Sequence, residues 1–173
     1  VASASARQVT CDDCKTAIAG LEAHLTGEEI LAEQIAILIA AGCPTAADPA
    51  MCEMAVAKYW PGIAKALYGF FFSQKEPCGE MGMNVCKSTT PKEWTCQECA
   101  DAITLLSGIM TQQSYVDEAI VYLQGPAYCG DGGEHMENCE EAIGANIGNA
   151  LAILGQAIIA QTESLCQDVI GVC

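Results

Sequence analysis

Basic residues are scarce in this chain: 7 Lys and Arg stand against 22 Asp and Glu, for a formal charge of -15. That balance excludes nucleic acid as a partner, because binding a polyanion relies on basic side chains that release its counterions. It also disfavours lipid surfaces that are anionic at neutral pH. Histidine is rarer still. His24 and His135 stand far apart and at non-equivalent places, so they suggest neither a catalytic triad nor a His-based metal site and read as surface residues. There is no Gly-x-Ser-x-Gly, no His-Glu-x-x-His and no phosphate-binding glycine loop, so no chemistry of the chain's own is expected. No Asn-x-Ser/Thr occurs, which removes N-glycosylation, and no segment sustains the period-two alternation of a half-buried strand.

Apolar side chains are present in quantity. Besides 12 cysteines and 27 alanines, 50 bulky apolar residues supply core, which is incompatible with a disordered chain. Twelve cysteines in 173 residues point to an oxidising compartment, secreted or lumenal, where disulfides persist. The opening Val1-Ala-Ser-Ala-Ser-Ala-Arg7 has no apolar targeting segment, so the sequence reads as a mature form from which one has been removed.

The cysteines repeat. They fall at 11, 14, 43, 52, 78 and 86, then at 96, 99, 129, 139, 166 and 173. Two copies of one six-cysteine frame account for this, and the apolar positions keep the same register. Cys11, Cys14, Ile18, Leu21 and Leu25 are reproduced by Cys96, Cys99, Ile103, Leu106 and Met110, each shifted by 85. Leu31, Ile35 and Leu38 map onto Val116, Ile120 and Leu123 at that same shift. Spacings of three and four place such residues on one stripe of an α-helix. The pattern predicts an all-α chain with helices near 10–25, 28–42, 49–59, 62–73 and 78–86, then near 94–110, 115–128, 135–147, 149–162 and 164–172. Pro61 and Gly148 occupy matching places and are read as breaks between third and fourth helices, and 87–93 as a polar linker.

A Cys-x-x-Cys opening an amphipathic helix, a pair around a hairpin and a closing pair, all found twice, resemble the saposin-like (saposin B-type) family. The resemblance implies two tandem disulfide-stapled modules of four to five helices, residues 1–88 and 89–173. It implies the bridges Cys11–Cys86, Cys14–Cys78 and Cys43–Cys52 in the first and Cys96–Cys173, Cys99–Cys166 and Cys129–Cys139 in the second. The closing pairs are spaced more widely than is common in the family, which puts one cysteine of each just off the last helix, as Pro77 beside Cys78 also suggests. It further implies hinged helical leaves whose open form offers an apolar face to lipid, to a hydrophobic ligand or to a second module.

Two segments fit that expectation. Helix 34–42 is apolar around nearly its whole circumference, and Phe70, Phe71 and Phe72 span about 200° of a helix, so they cannot all enter one core. Residues 142–160 carry no charge, with Gly144 and Gly148 at Gly-x-x-x-Gly spacing, although Asn146, Asn149 and Gln156 argue against membrane spanning. The expected lining is Ile35, Leu38, Ile39, Tyr59, Ile63, Leu67 and Phe71 from the first module and Ile120, Leu123, Ile143, Ile147, Leu151, Leu154 and Ile158 from the second. The two leaves are expected to clasp each other over the ligand.

The function expected is non-enzymatic carriage of lipids or other hydrophobic ligands, with peripheral membrane contact and a homodimer or higher oligomer as possible associations. A dedicated carrier of a carotenoid pigment or sterol is one alternative, and a membrane-perturbing, pore-forming effector at acidic pH is another. The charge is uneven, -4 over residues 1–89 (6 basic, 10 acidic) and -11 over 90–173 (1 basic, 12 acidic). The acidic face reads first as a source of solubility; the alternative is a pH switch, in which protonation toward the pI of about 4.2 strengthens lipid contact. No metal or cofactor is expected: Asp131, Glu134, Glu137, Glu140 and Glu141 cluster without the spacing of a calcium loop and read as solvated charge.

Overall fold

A computed structural model describes residues 7–74, 76–79, 84–87, 90–126, 128–130 and 136–173. The elements in chain order are β1 (Arg7–Val9), α1 (Cys11–Leu25), α2 (Glu28–Gly42), α3 (Pro49–Gln74), β2 (Lys92–Trp94), α4 (Cys96–Met110), α5 (Gln113–Gln124), α6 (Met136–Ala160) and the short α7 (Thr162–Ser164), which runs into a π-helical turn at Leu165–Val169. The fold is all-α apart from the three-residue strands, and all twelve cysteines are bridged. The six pairs are those the resemblance implies: Cys11–Cys86, Cys14–Cys78, Cys43–Cys52, Cys96–Cys173, Cys99–Cys166 and Cys129–Cys139.

Local chemistry repeats along with the cysteines. Thr10 and Thr95 cap α1 and α4, each hydroxyl accepting a backbone N–H three residues on, while the Asp13 or Glu98 carboxylate accepts the threonine's own N–H. These reciprocal bonds satisfy donors that a helix start leaves open. Thr26 and Thr111 close the same helices 85 residues apart.

The expected breaks at Pro61 and Gly148 do not occur. α3 is a single 26-residue helix with Pro61 inside it, and α6 a single 25-residue helix through Gly148. Pro61 leaves the Ala57 carbonyl without its helical donor, but Ala57 is exposed and water can serve it. Trp60 and Ala64 on either side are buried, so tertiary packing holds the helix across the proline. Glycine at 148 costs a helix only about 1 kcal/mol. Among the described residues the first half therefore has three α-helices and the second has three long ones and the short α7.

The expected helices at 78–86 and 164–172 are also corrected. Residues 76–79 form a turn and Val85–Lys87 a single 3-10 turn; Glu76 and Asn84 take left-handed backbone, with φ of 38° and 57°, which a right-handed helix does not admit. At the other end the π turn stops at Val169, and Gly171 is left-handed at φ 71°. The supposed linker runs into β2, which pairs antiparallel with β1: Arg7 opposite Trp94, Gln8 opposite Glu93 and Val9 opposite Lys92.

That register is informative. Gln8 and Glu93 are equivalent by the 85-residue shift and face each other, as they would across a local two-fold axis. The helices follow the same rule. α2 packs on α6 and α3 on α5, which are reciprocal contacts because α5 is the counterpart of α2 and α6 of α3. Buried residues from both repeats join in one continuous hydrophobic core.

Candidate functional site

The seam between the halves gathers most of the residues picked out as a lining. On α6, Ile143, Ile147, Leu151, Leu154 and Ile158 form one buried stripe at spacings of four, four, three and four. Leu123 on α5, Leu38 on α2, and Leu67 and Phe71 on α3 are buried as well, while Ile35, Ile63 and Ile120 are half-buried against the same core. Twelve of the fourteen thus meet in or at one core. Ile39 is half-buried without joining it, and Tyr59 does not join it either. Its ring is 50% exposed, with the Lys58 ammonium 5.0 Å from its centroid, and only its carbonyl takes part, accepting from the Tyr128 hydroxyl at 3.1 Å.

Trp60 occupies the place intended for Tyr59. With α3 continuous, Val56, Trp60, Ala64, Leu67 and Phe71 make the inward stripe that matches the one on α6, and Tyr59 falls about 100° away from it. Resetting the helix at Pro61 loses that phase. Reading the spacing of four straight through the proline would have found Trp60.

The two seams are built differently. Between α3 and α5 the contacts are aromatic: Phe70 stacks on Tyr122 at 4.5 Å between ring centres, and Tyr115 meets Phe71 edge-on at 5.3 Å and Phe70 at 6.1 Å. The Tyr115 hydroxyl also donates toward the Leu67 carbonyl at 3.5 Å. All three phenylalanines are therefore engaged, Phe71 in the core and Phe70 and Phe72 packed against it. Between α2 and α6 lies a narrow cleft of about 20 Å³, lined by aliphatic side chains together with Gln34, Tyr68, Glu33 and Gln161. It has room for one water molecule.

A buried polar group stands at that cleft. The Gln34 carboxamide, 5% exposed, accepts from the Trp60 indole N–H at 2.9 Å and donates to the Leu25 carbonyl at 3.0 Å. The Tyr68 hydroxyl lies beside it, fully buried, and makes no well-formed hydrogen bond. Burial raises the Tyr68 phenol well above its ordinary pKa, with Gln34 opposing the rise. Burial likewise raises Tyr115, assisted by Tyr68 and Glu118, and raises Tyr128. These phenols stay neutral at physiological pH.

Small residues on α6 bring the helices close. A Cβ at Gly148 would stand 3.4 Å from Val116 of α5, and one at Gly155 would stand 2.9 Å from the Ser107 hydroxyl of α4. That hydroxyl donates to the Gly155 carbonyl at 2.8 Å. The glycines serve helix packing here. Residues 138–160 are also long and apolar enough to cross a membrane by composition, with one third of the most apolar window buried inside the protein.

Apolar surface also remains outside. The tip of the α2–α3 hairpin, closed by Cys43–Cys52, exposes Met51 at 62% and Met54 at 66%. Helix 34–42 is partitioned: Leu38 is buried, Ile35, Ile37 and Ile39 are half-buried, and only alanines are fully exposed. Among the described residues no group of three His, Cys, Asp or Glu could hold a metal ion. Asp131, Glu134 and His135, and the side chain of Glu137, lie outside the described residues.

No family model, curated protein or solved structure matches the chain. Six disulfides suit an oxidising, extracellular or lumenal environment.

Proposed function

We propose that the chain is a pair of saposin-like modules in a secreted or lumenal protein that carries lipids or other hydrophobic ligands without chemistry of its own. The observation that carries this reading is the reciprocal packing of the two cystine-tied repeats: α2 lies on α6 and α3 on α5, and the apolar stripes of both share one core. Bridges that span 64–77 residues hold the ends of each half together whether or not its stripe is covered by the other half. Parting the halves exposes apolar surface, and a ligand that covers it gains about 25 cal/mol per Å² before ordering costs. Closed, the protein is soluble; opened, it offers an apolar face to its cargo.

Acidity strengthens that exchange, since neutralising the carboxylates lowers repulsion from lipid surfaces. The test is native mass spectrometry of protein purified from an oxidising host, followed by organic extraction. A stoichiometric lipid, sterol or pigment in the extract supports the reading. Protein that carries nothing, and takes up nothing when mixed with lipid vesicles, overturns it. The composition of α6 favours a second reading, in which that helix enters a bilayer. Dye leakage from vesicles at pH 4.5 decides for it, and intact vesicles across pH 4–7 decide against.

A further inference from the structure

The two-fold relation allows the seams to be compared residue by residue. The shift between halves is 85 in α2 and α5, as from Cys11 to Cys96, and 87 in α3 and α6, as from Cys52 to Cys139. The rings that fill the α3–α5 seam are Phe70, Phe71, Tyr115 and Tyr122. Their counterparts at the α2–α6 seam are Ala157, Ile158, Ile30 and Ile37, all of which line the cleft. Four aromatic residues are thus replaced by one alanine and three isoleucines. The exchange runs the other way just inside. Ala119 and Gly155 of the second half correspond to Gln34 and Tyr68 of the first, so the lightly filled seam has an amide and a phenol where its counterpart has an alanine and a glycine.

Tyr68 is the informative member. A buried hydroxyl without a well-formed bond is costly, and Tyr68 has only the neighbouring Gln34 side chain, which is already engaged through both its oxygen and its nitrogen. The rim carries Glu33, whose carboxylate accepts from Gln161 at 3.4 Å across the seam. A carboxylate there, on a protein of charge -15, opposes an anionic ligand.

We propose that the α2–α6 seam is the ligand port, and that its ligand is a neutral, sterol-like apolar molecule whose single hydroxyl meets the buried Tyr68 hydroxyl. This rests on the carrier reading above and specifies where and what the carrier holds. At about 20 Å³ the closed cleft admits only a water, so binding requires α2 and α6 to separate.

The experiment titrates the whole protein with two probes, the fluorescent sterol dehydroergosterol and the hydrocarbon analogue that lacks its hydroxyl. Wild-type protein is expected to prefer the alcohol by about 2–12-fold, the range that one neutral hydrogen bond supplies. Tyr68→Phe is expected to bind both probes equally. Ala157→Phe, which installs the ring present at the opposite seam, is expected to weaken both probes by about tenfold or more. Wild-type binding without preference, a preference that survives Tyr68→Phe, or undiminished binding by Ala157→Phe overturns the proposal and leaves the carrier reading standing. Wild-type protein that binds neither probe, nor any lipid from vesicles, overturns both.

Discussion

Truncating Tyr115 to alanine separates opening of the halves from loss of the fold. The ring is 1% exposed and reaches across the seam to Phe71 at 5.3 Å and to Phe70 at 6.1 Å. Each such pair contributes about 0.5–1.5 kcal/mol beyond area burial, so the two together give about 1–3 kcal/mol to the closed state. That is about a 5–150-fold shift toward parted halves. The full cost of the truncation is larger, about 3–5 kcal/mol by comparison with other buried aromatics, and the remainder falls on the core between α4, α5 and α6. Because every bridge survives, the helices should survive too. The assay is titration with the apolar dye ANS alongside far-ultraviolet circular dichroism and urea unfolding. Tyr115→Ala should keep its helical spectrum in buffer, unfold at lower urea and bind ANS at least fivefold more tightly. A lowered urea midpoint with unchanged ANS affinity would mean that the ring supports only its own half, and the idea that the seam opens would fail.

Other perturbations have equally definite outcomes. Removing Cys14–Cys78 with paired alanines should cost about 4 kcal/mol, against about 2.5 kcal/mol for Cys43–Cys52, because the loops closed span 64 and 9 residues; equal losses in urea unfolding would contradict this loop-length argument. Gly20→Ala and Gly108→Ala, exposed helical sites with open space, should each stabilise by about 0.5–1 kcal/mol. Gly155→Ala should instead lower the melting temperature, since its methyl would lie 2.9 Å from a Ser107 hydroxyl already fixed by its own hydrogen bond. Tyr68 and Tyr115 are raised in the folded state above the ordinary phenol pKa of about 10, so the stability they contribute is complete below pH 10 and declines as pH rises above it. Urea midpoints at pH 9 and pH 11 should therefore differ more for wild-type protein than for the Tyr68→Phe, Tyr115→Phe double variant, and an equal fall in both would refute the assignment.

Helices were legible wherever apolar residues recur at spacings of three and four, as from Cys11 to Leu25 and from Cys96 to Met110. Strands were not, because β1 and β2 have three residues each and no alternating pattern can be read in three. Pro61 misled because proline disfavours helix interiors by local sterics and a lost bond, whereas burial of Trp60 and Ala64 is a tertiary effect that the local rule does not contain. Periodicity picked out buried positions, but not their use: the spacing of Leu154 and Ile158 is the same whether they meet a ligand or another helix. The two-fold relation needed the strand register and the reciprocal helix contacts. Gln34 and Tyr68 carried no sequence signal of their own, since one buried amide or phenol resembles any other until its neighbours are known.

The central claim is that the halves part and cover a hydrophobic cargo, and a transfer assay tests it most directly. Protein is mixed with neutral phosphatidylcholine vesicles that contain dehydroergosterol, the vesicles are pelleted, and sterol in the supernatant is measured at pH 7 and at pH 4.5. The account predicts soluble sterol in proportion to protein, with more carried at pH 4.5. Sterol that stays with the vesicles at both pH values, however much protein is added, would contradict it.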